Sequence, residues 1–226
     1  MPDDDRSDDT KPDTPVKLSQ QLAMTPQLQL AIRLLGTPTV ELPALIESWQ
    51  DTHPGSIAPL APGEVDPYDE REREIAEEEG IPAWFYYDEE PFPSLGADVW
   101  VFGDPPQVRA NGRTLPRLKA VFDDGAMTRS AADIRQASWL VRGLRQRART
   151  YENVVGALIG LRPELAIAPD PSTVAPVRYR EIAELVALHE STVRRVVPAC
   201  RFQTLHGVTR LAGGRSTVSF ERHEVV

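Results

Sequence analysis

Two adjacent arginines, Arg194 and Arg195, follow Glu190, Ser191 and Thr192 in the segment YREIAELVALHESTVRRVV, whose apolar residues recur at the offsets of two crossed helices. Guanidinium groups beside hydroxyl and carboxylate side chains are the types that read base edges and phosphates in a DNA groove. To reach a groove they need two short helices that cross steeply, with a dry inner set and a small residue at the contact. Ile182, Val186, Leu188, Val193 and Val196 supply the inner set. Ala183 is the small residue at the crossing, and Ala187 stands at the turn where glycine is commoner. The second helix then starts near His189 and presents Glu190, Ser191, Arg194 and Arg195 outward. A helical hairpin with merely solvated arginines fits the same pattern, so spacing alone leaves both alternatives open.

The charge distribution favours a polyanion at the C-terminal end. The chain has 226 residues and a formal net charge of -9. Residues 1 to 100 hold 6 Lys and Arg against 22 Asp and Glu, whereas residues 101 to 226 hold 19 against 12. The basic half suits nucleic acid, and the acidic half repels it or shields the basic half when nothing is bound. Twenty-one prolines argue against one uniform globule. Cys200 is the single cysteine, which excludes a disulfide framework and points to a reduced, cytoplasmic compartment. No apolar run reaches membrane-spanning length, and the acidic N-terminus is unlike a signal peptide.

The elements that would position the arginines follow from periodicity. Residues 1–15 are polar and acidic and are expected to be a disordered tail. Within 16–52, Thr25 caps a helix beginning at Pro26, with Leu28, Ile32 and Leu35 on one face and Gly36 at its end. A second helix carries Leu42, Leu45, Ile46 and Trp49, with Pro43 forcing a late start or a bend. Residues 53–95 form an acidic linker that includes EREREIAEEEG and WFYYDEEPF. In 96–162, VWVF and QVRA suggest a small hairpin, with a turn signal at Asn111 and Gly112. Ser130 and Asp133 then open the longest helical pattern, whose stripe is Leu140, Leu144, Ala148, Tyr151, Val155 and Leu158. Arg142, Arg145 and Arg149 make a basic face on that helix, and Gly143, Gly156 and Gly160 are its weak points. Residues 163–226 complete a helix-turn-helix domain. The expected class is therefore mainly α, with at most a small β-hairpin.

Four histidines and one cysteine give no metal-ligand spacing, and no phosphate-cradling loop or nucleophile elbow is present. These observations argue for a non-catalytic binding protein without cofactor, metal or small-molecule substrate.

Four segments, in order, resemble the sigma-54 (RpoN-type) RNA polymerase sigma factors. KLSQQLAMTPQLQLAIRLLGTPTVEL looks like the activator-interacting region, PPQVRANGRTLPRLKAVF like part of the core-binding region, and ASWLVRGLRQRARTYENVVGALI like the extra-long helix. YREIAELVALHESTVRRVVPACRFQTLHGV resembles the helix-turn-helix, with His-Glu-Ser-Thr-Val intact from His189 to Val193. The resemblance implies promoter DNA, core RNA polymerase and an ATP-dependent enhancer-binding activator as partners. It implies DNA contacts from His189, Glu190, Ser191, Thr192, Arg194, Arg195 and Arg201, supported by Arg142, Arg145 and Arg149. Leu22, Met24, Gln27, Leu28, Ile32 and Leu35 would meet the activator or polymerase. The family's main core-binding subdomain and its RpoN box find no counterpart in this sequence. The expectation is thus a truncated, divergent transcription initiation protein. The alternative is a regulatory decoy that binds the activator or polymerase without initiating transcription.

Overall fold

The computed structural model of the chain describes residues 25–60, 96–112, 114, 116–121 and 130–223. The expected acidic tail, most of the acidic linker, Leu22 and Met24 lie outside the described residues. Among those described, no helix is long and apolar enough to cross a membrane.

One long helix organises the rest. It is labelled α3 here, Ala131–Leu161, and its 31 residues span about 46 Å at 1.5 Å per residue. Ser130 caps it: the hydroxyl accepts from the Asp133 amide at 3.1 Å and donates to the Asp133 carboxylate at 2.6 Å. The three glycines expected to weaken it do not interrupt it. Each costs about 1 kcal/mol relative to alanine. Against that, Leu140, Tyr151, Val154, Val155 and Leu158 are fully buried, at about 1.5–3 kcal/mol for each side chain of this size. Gly143 also has a positive use, since a Cβ there would lie 2.8 Å from Leu34 Cδ1.

The two halves of α3 build two cores. Around its N-terminal half pack α1 (Pro26–Gly36), α2 (Leu42–Thr52) and a two-stranded antiparallel sheet of β1 (Ile57–Pro59) and β4 (Leu118–Ala120). Leu34, Leu42, Ile46, Ile57, Ala137, Leu140 and Leu144 form the dry interior there. Thr25 caps α1 as its spacing suggested, accepting from the Leu28 amide at 3.3 Å with Pro26 at the first position. The buried side of α1 is nevertheless not the expected stripe. Leu34 is buried, Gln27, Ile32 and Leu35 are half-buried and Leu28 is exposed. Packing onto a neighbour chose among faces that periodicity alone rendered similar.

Around the C-terminal half of α3 lie α4 (Tyr179–Leu185), α5 (Glu190–Val196) and a six-stranded sheet. Its order is β3 (Gln107–Ala110), β2 (Val99–Phe102), β6 (Arg201–Thr204), β7 (Gly207–Gly213), β8 (Thr217–Arg222) and β5 (Val177–Arg178). All neighbours are antiparallel except β2 and β6. Val99, Val101, Phe202, Leu211, Val218 and Phe220 turn inward onto α3 and the two short helices.

This sheet overturns the expected mainly α class with at most a small hairpin: strands make up 21% of the described residues. The hairpin of β2 and β3 exists with its turn at residues 103–106, while the turn signal at Asn111 falls just after β3: the Thr114 amide donates to the Asn111 carbonyl at 3.1 Å, and the buried Asn111 side-chain amide donates to the Ala97 carbonyl at 2.8 Å. The larger departure is β6 to β8, which occupy residues 201–222. Phe202 with Thr204 and Val218 with Phe220 alternate inward at period two, as half-buried strands do. Arg, Gln, Ser and Thr interleave with them and mute the pattern, and each strand gains its stability only from a neighbour.

A buried ion pair ties the two cores together. Arg147 is 2% exposed; its Nε donates to the Leu34 carbonyl at 3.0 Å, and Nη2 donates to the Thr37 carbonyl at 3.1 Å, Thr39 Oγ1 at 3.0 Å and Asp98 Oδ1 at 3.2 Å. Tyr151 lies under its guanidinium at 4.1 Å and donates to the Leu35 carbonyl at 2.8 Å. Asp98 also accepts from the Thr39 hydroxyl and, at Oδ2, from the Arg201 amide at 2.9 Å. Burial pushes the Asp98 carboxyl above its ordinary value, with Arg147 and the Arg201 amide pulling it partly back. Replacing Arg147 by Ala strands a buried carboxylate and should cost about 3–5 kcal/mol in urea melts. Arg147→Ala combined with Asp98→Ala should be less destabilised than the two single losses added, and strict additivity would show that the pair is not coupled.

Candidate nucleic-acid interface

Arg178 precedes α4, and the Glu181 carboxylate accepts from the Arg178 amide at 3.0 Å to close the first turn. The helix ends at Val186 and the chain reverses through Ala187, whose φ of 51° is left-handed. Glycine is easier in that conformation, so alanine carries a cost of about 1 kcal/mol. The reversal is held by the Leu188 amide donating to the Ala183 carbonyl at 3.0 Å. Ile182, Val193 and Val196 are wholly buried, Ala183 nearly so, and Val186 and Leu188 are half-buried, so the inner set read from spacing is the inner set of the structure.

His189 begins α5 as its cap. Its Nδ1 accepts from the Ser191 amide at 3.2 Å and lies 2.7 Å from the Ser191 hydroxyl. Glu190, Ser191 and Thr192 are half-buried, and Pro198 follows where the helix has ended. The two arginines differ. Arg194 is clamped: it meets Glu190 at 2.6 Å, lies over the Tyr179 ring at 4.3 Å and donates to the Arg215 carbonyl at 3.0 Å. Arg195 is exposed and has no ion-pair or hydrogen-bond partner among the described residues. Spacing could not separate them, because the partners of Arg194 include Arg215, in the distant turn between β7 and β8.

The other expected site residues are dispersed. Arg201 opens β6, half-buried, with its amide and carbonyl both bonded to Asp98, so it belongs to the sheet and not to α5. Burial and the charges of Arg201 and Arg210 lower the His223 imidazole. On α3, Arg142 and Arg149 are exposed and Arg145 is half-buried. Arg142 lies 5.9 Å from the Trp139 ring, and Arg145 and Arg149 have partners within the chain. α1 lies beside both α3 and α5, with Leu35 packed against the larger core. Arg147, Asp98 and Tyr179 were missed as determinants. The signal for Arg147 was its place between Leu144 and Tyr151, inside the apolar stripe, where a charge demands a partner. Cys200 is fully buried, and burial pushes its thiol well above the ordinary range, which removes it as a nucleophile. No group of acidic, histidine or cysteine residues suited to a metal occurs among the described residues.

Comparison with known proteins places this geometry. The profile of the sigma-54 DNA-binding domain matches residues 128–216, which hold α3, α4 and α5. The profile of the sigma-54 activator-interacting domain matches residues 15–51, which include α1. The chain belongs to the sigma-54 family. The RNA polymerase sigma-54 factor of Bacillus subtilis is 33% identical over 97 residues, which is 41% of this chain and 22% of that protein. The sigma-54 factor of Caulobacter vibrioides is 30% identical over 139 residues, 55% of this chain and 28% of the relative. That of Vibrio anguillarum is 54% identical over 44 residues, 20% of this chain and 9% of the relative. The chain thus matches about a quarter of the length of the first two sigma-54 relatives.

In this sigma-54 helix-turn-helix, Arg195→Ala should weaken binding to a duplex by about threefold to tenfold and reduce the salt slope by about one, with unchanged melting. Arg194→Ala should instead cost about 1 kcal/mol of stability by removing the stack on Tyr179 and the bond to the hairpin. Equal loss of binding with equal stability in both variants would refute the distinction.

Proposed function

We propose that the chain acts in transcription initiation, binding promoter DNA through α5 and engaging core RNA polymerase and an ATP-dependent enhancer-binding activator through the region around α1. Arg195 is the principal DNA contact, with Ser191, Thr192 and His189 at the leading end of α5. Glu190 and Arg194 shape the helix surface, and Arg142, Arg145 and Arg149 extend a basic face along α3. The exposed Leu28, with Gln27 and Ile32, belongs to the partner-facing side of α1, and Leu22 and Met24, outside the described residues, are assigned to the same partner contact. The protein works as a non-catalytic cytoplasmic factor, and the polymerase supplies the chemistry. In domain terms, residues 16–52 form the activator-interacting part, 53–95 a linker, and 96–162 with 163–226 the DNA-binding part.

One observation carries this proposal. The segment matched by the activator-interacting profile is seated on the long helix of the segment matched by the DNA-binding profile, the carbonyls of Leu34 and Leu35 at the end of α1 and of Thr37 just after it being bonded to Arg147 and Tyr151. A partner that pulls on α1 therefore acts on the element that carries the DNA reader. The test is capture of purified core polymerase by the full chain, followed by transcription with activator and ATP on duplex and pre-melted templates. The expected result is capture and transcripts on the pre-melted template. Capture without transcripts on either template would favour the decoy, and absence of capture would reject the polymerase partnership.

A further inference from the structure

The hairpin joining β7 to β8 is built against the recognition helix. β5, immediately before α4, pairs with β8 through Val177 with Val218 and Arg178 with Thr217. The Tyr179 amide donates to the Ser216 carbonyl at 3.2 Å, and the Gly214 amide donates to the Thr217 carbonyl at 2.8 Å. A Cβ at Gly213 would lie 2.5 Å from Tyr179 Oη and 3.5 Å from Val197 Cγ1, so only glycine lets the hairpin seat this closely. Arg194, resting on the same Tyr179 ring, donates to the Arg215 carbonyl at 3.0 Å. A helix, a short strand, two crossed helices and a hairpin whose second strand pairs with that short strand make the topology of a winged helix, with β6 as an additional strand between α5 and the hairpin.

Residue 215 has two separable parts. Its carbonyl does the structural work of fastening the turn to α5. Its side chain belongs to an exposed residue and has no ion-pair or hydrogen-bond partner among the described residues. Arg195 on α5 is exposed and unpaired in the same sense, and the clamped Arg194 joins the helix to the turn. Two guanidinium groups without a partner among the described residues thus stand on adjoining elements joined by the Arg194 bond.

We propose that the hairpin tip, residues 213–216, is a wing that forms a second DNA-binding element, with Arg215 gripping the sugar-phosphate backbone beside the groove that α5 enters. This rests on the assignment of α5 as the recognition helix. A phosphate contact fixes the angle and register of that helix without reading sequence. The Arg194 bond fastens the backbone of the turn that carries Arg215 to α5.

The test uses the full chain and a short fluorescent duplex of randomised sequence, titrated at several salt concentrations with wild type, Arg195→Ala, Arg215→Ala and Arg215→Lys. Arg215→Ala keeps the carbonyl, so its melting should match wild type while affinity falls about threefold to tenfold and the salt slope drops by about one. Arg215→Lys should restore most of the affinity, because a phosphate accepts either cation. Weakening by Arg195→Ala with Arg215→Ala indistinguishable from wild type would reject the wing and retain the recognition helix. Weakening by Arg215→Ala alone would remove α5 from the groove and reject the paired arrangement. No effect from either, or no binding by wild type, would reject both assignments.

Discussion

A full positive charge sits in the dry middle of a long helix, and the arrangement of the chain around Arg147 is the answer to it. An unpaired buried guanidinium would be prohibitive, since a buried charge is tolerated only when paired and hydrogen-bonded. Arg147 has one carboxylate, two carbonyls, one hydroxyl and one aromatic face around it. Those groups come from three places: the end of α1 with the turn after it, the residue before β2, and α3 itself. The last carbonyls of α1 have no partner inside their own helix, and a cation at a helix C-terminus is favourable. One side chain therefore finishes α1 and neutralises Asp98 together.

Asp98 passes the constraint onward. Its second oxygen holds the Arg201 amide, and its own amide donates to the Arg201 carbonyl at 2.8 Å. That pins the start of β6 beside β2 in the one parallel pairing of the sheet. β6 begins soon after α5, so α5, the sheet and α1 are all referred to one polar node. The smaller core on the N-terminal half of α3 and the larger one on its C-terminal half are linked through this node as well as through the helix. Gly143 supports the arrangement differently, by letting Leu34 approach the α3 backbone.

Much of the candidate interface was legible because it is local. The offsets of Ile182, Ala183, Val193 and Val196, the turn at Ala187, the Ser130 cap and the Thr25 cap each depend on residues within a few positions of one another. Helical periodicity and capping express such short-range physics directly. The apolar stripe of α3 was visible for the same reason. The buried face of α1 was not, because Leu28, Ile32 and Leu34 are all apolar and the choice belongs to α3. The three strands after α5 were not either, because alternation interrupted by Arg, Thr and Ser is weak until pairing gives it an inward side.

The sequence by itself determined the helices, the Thr25 and Ser130 caps, the crossing of α4 with α5 and the family to which they belong, since each follows from the order of neighbouring side chains. Only the tertiary structure decided that Arg147 is interior, that Arg194 is clamped while Arg195 is exposed, and that a hairpin tip stands beside α5. Those outcomes depend on Leu34, Asp98, Gly213 and Arg215, residues far from their partners in the chain. Contacts of that kind carry no periodic trace in the sequence, because they are set by which surfaces meet once burial and hydrogen bonding are satisfied together.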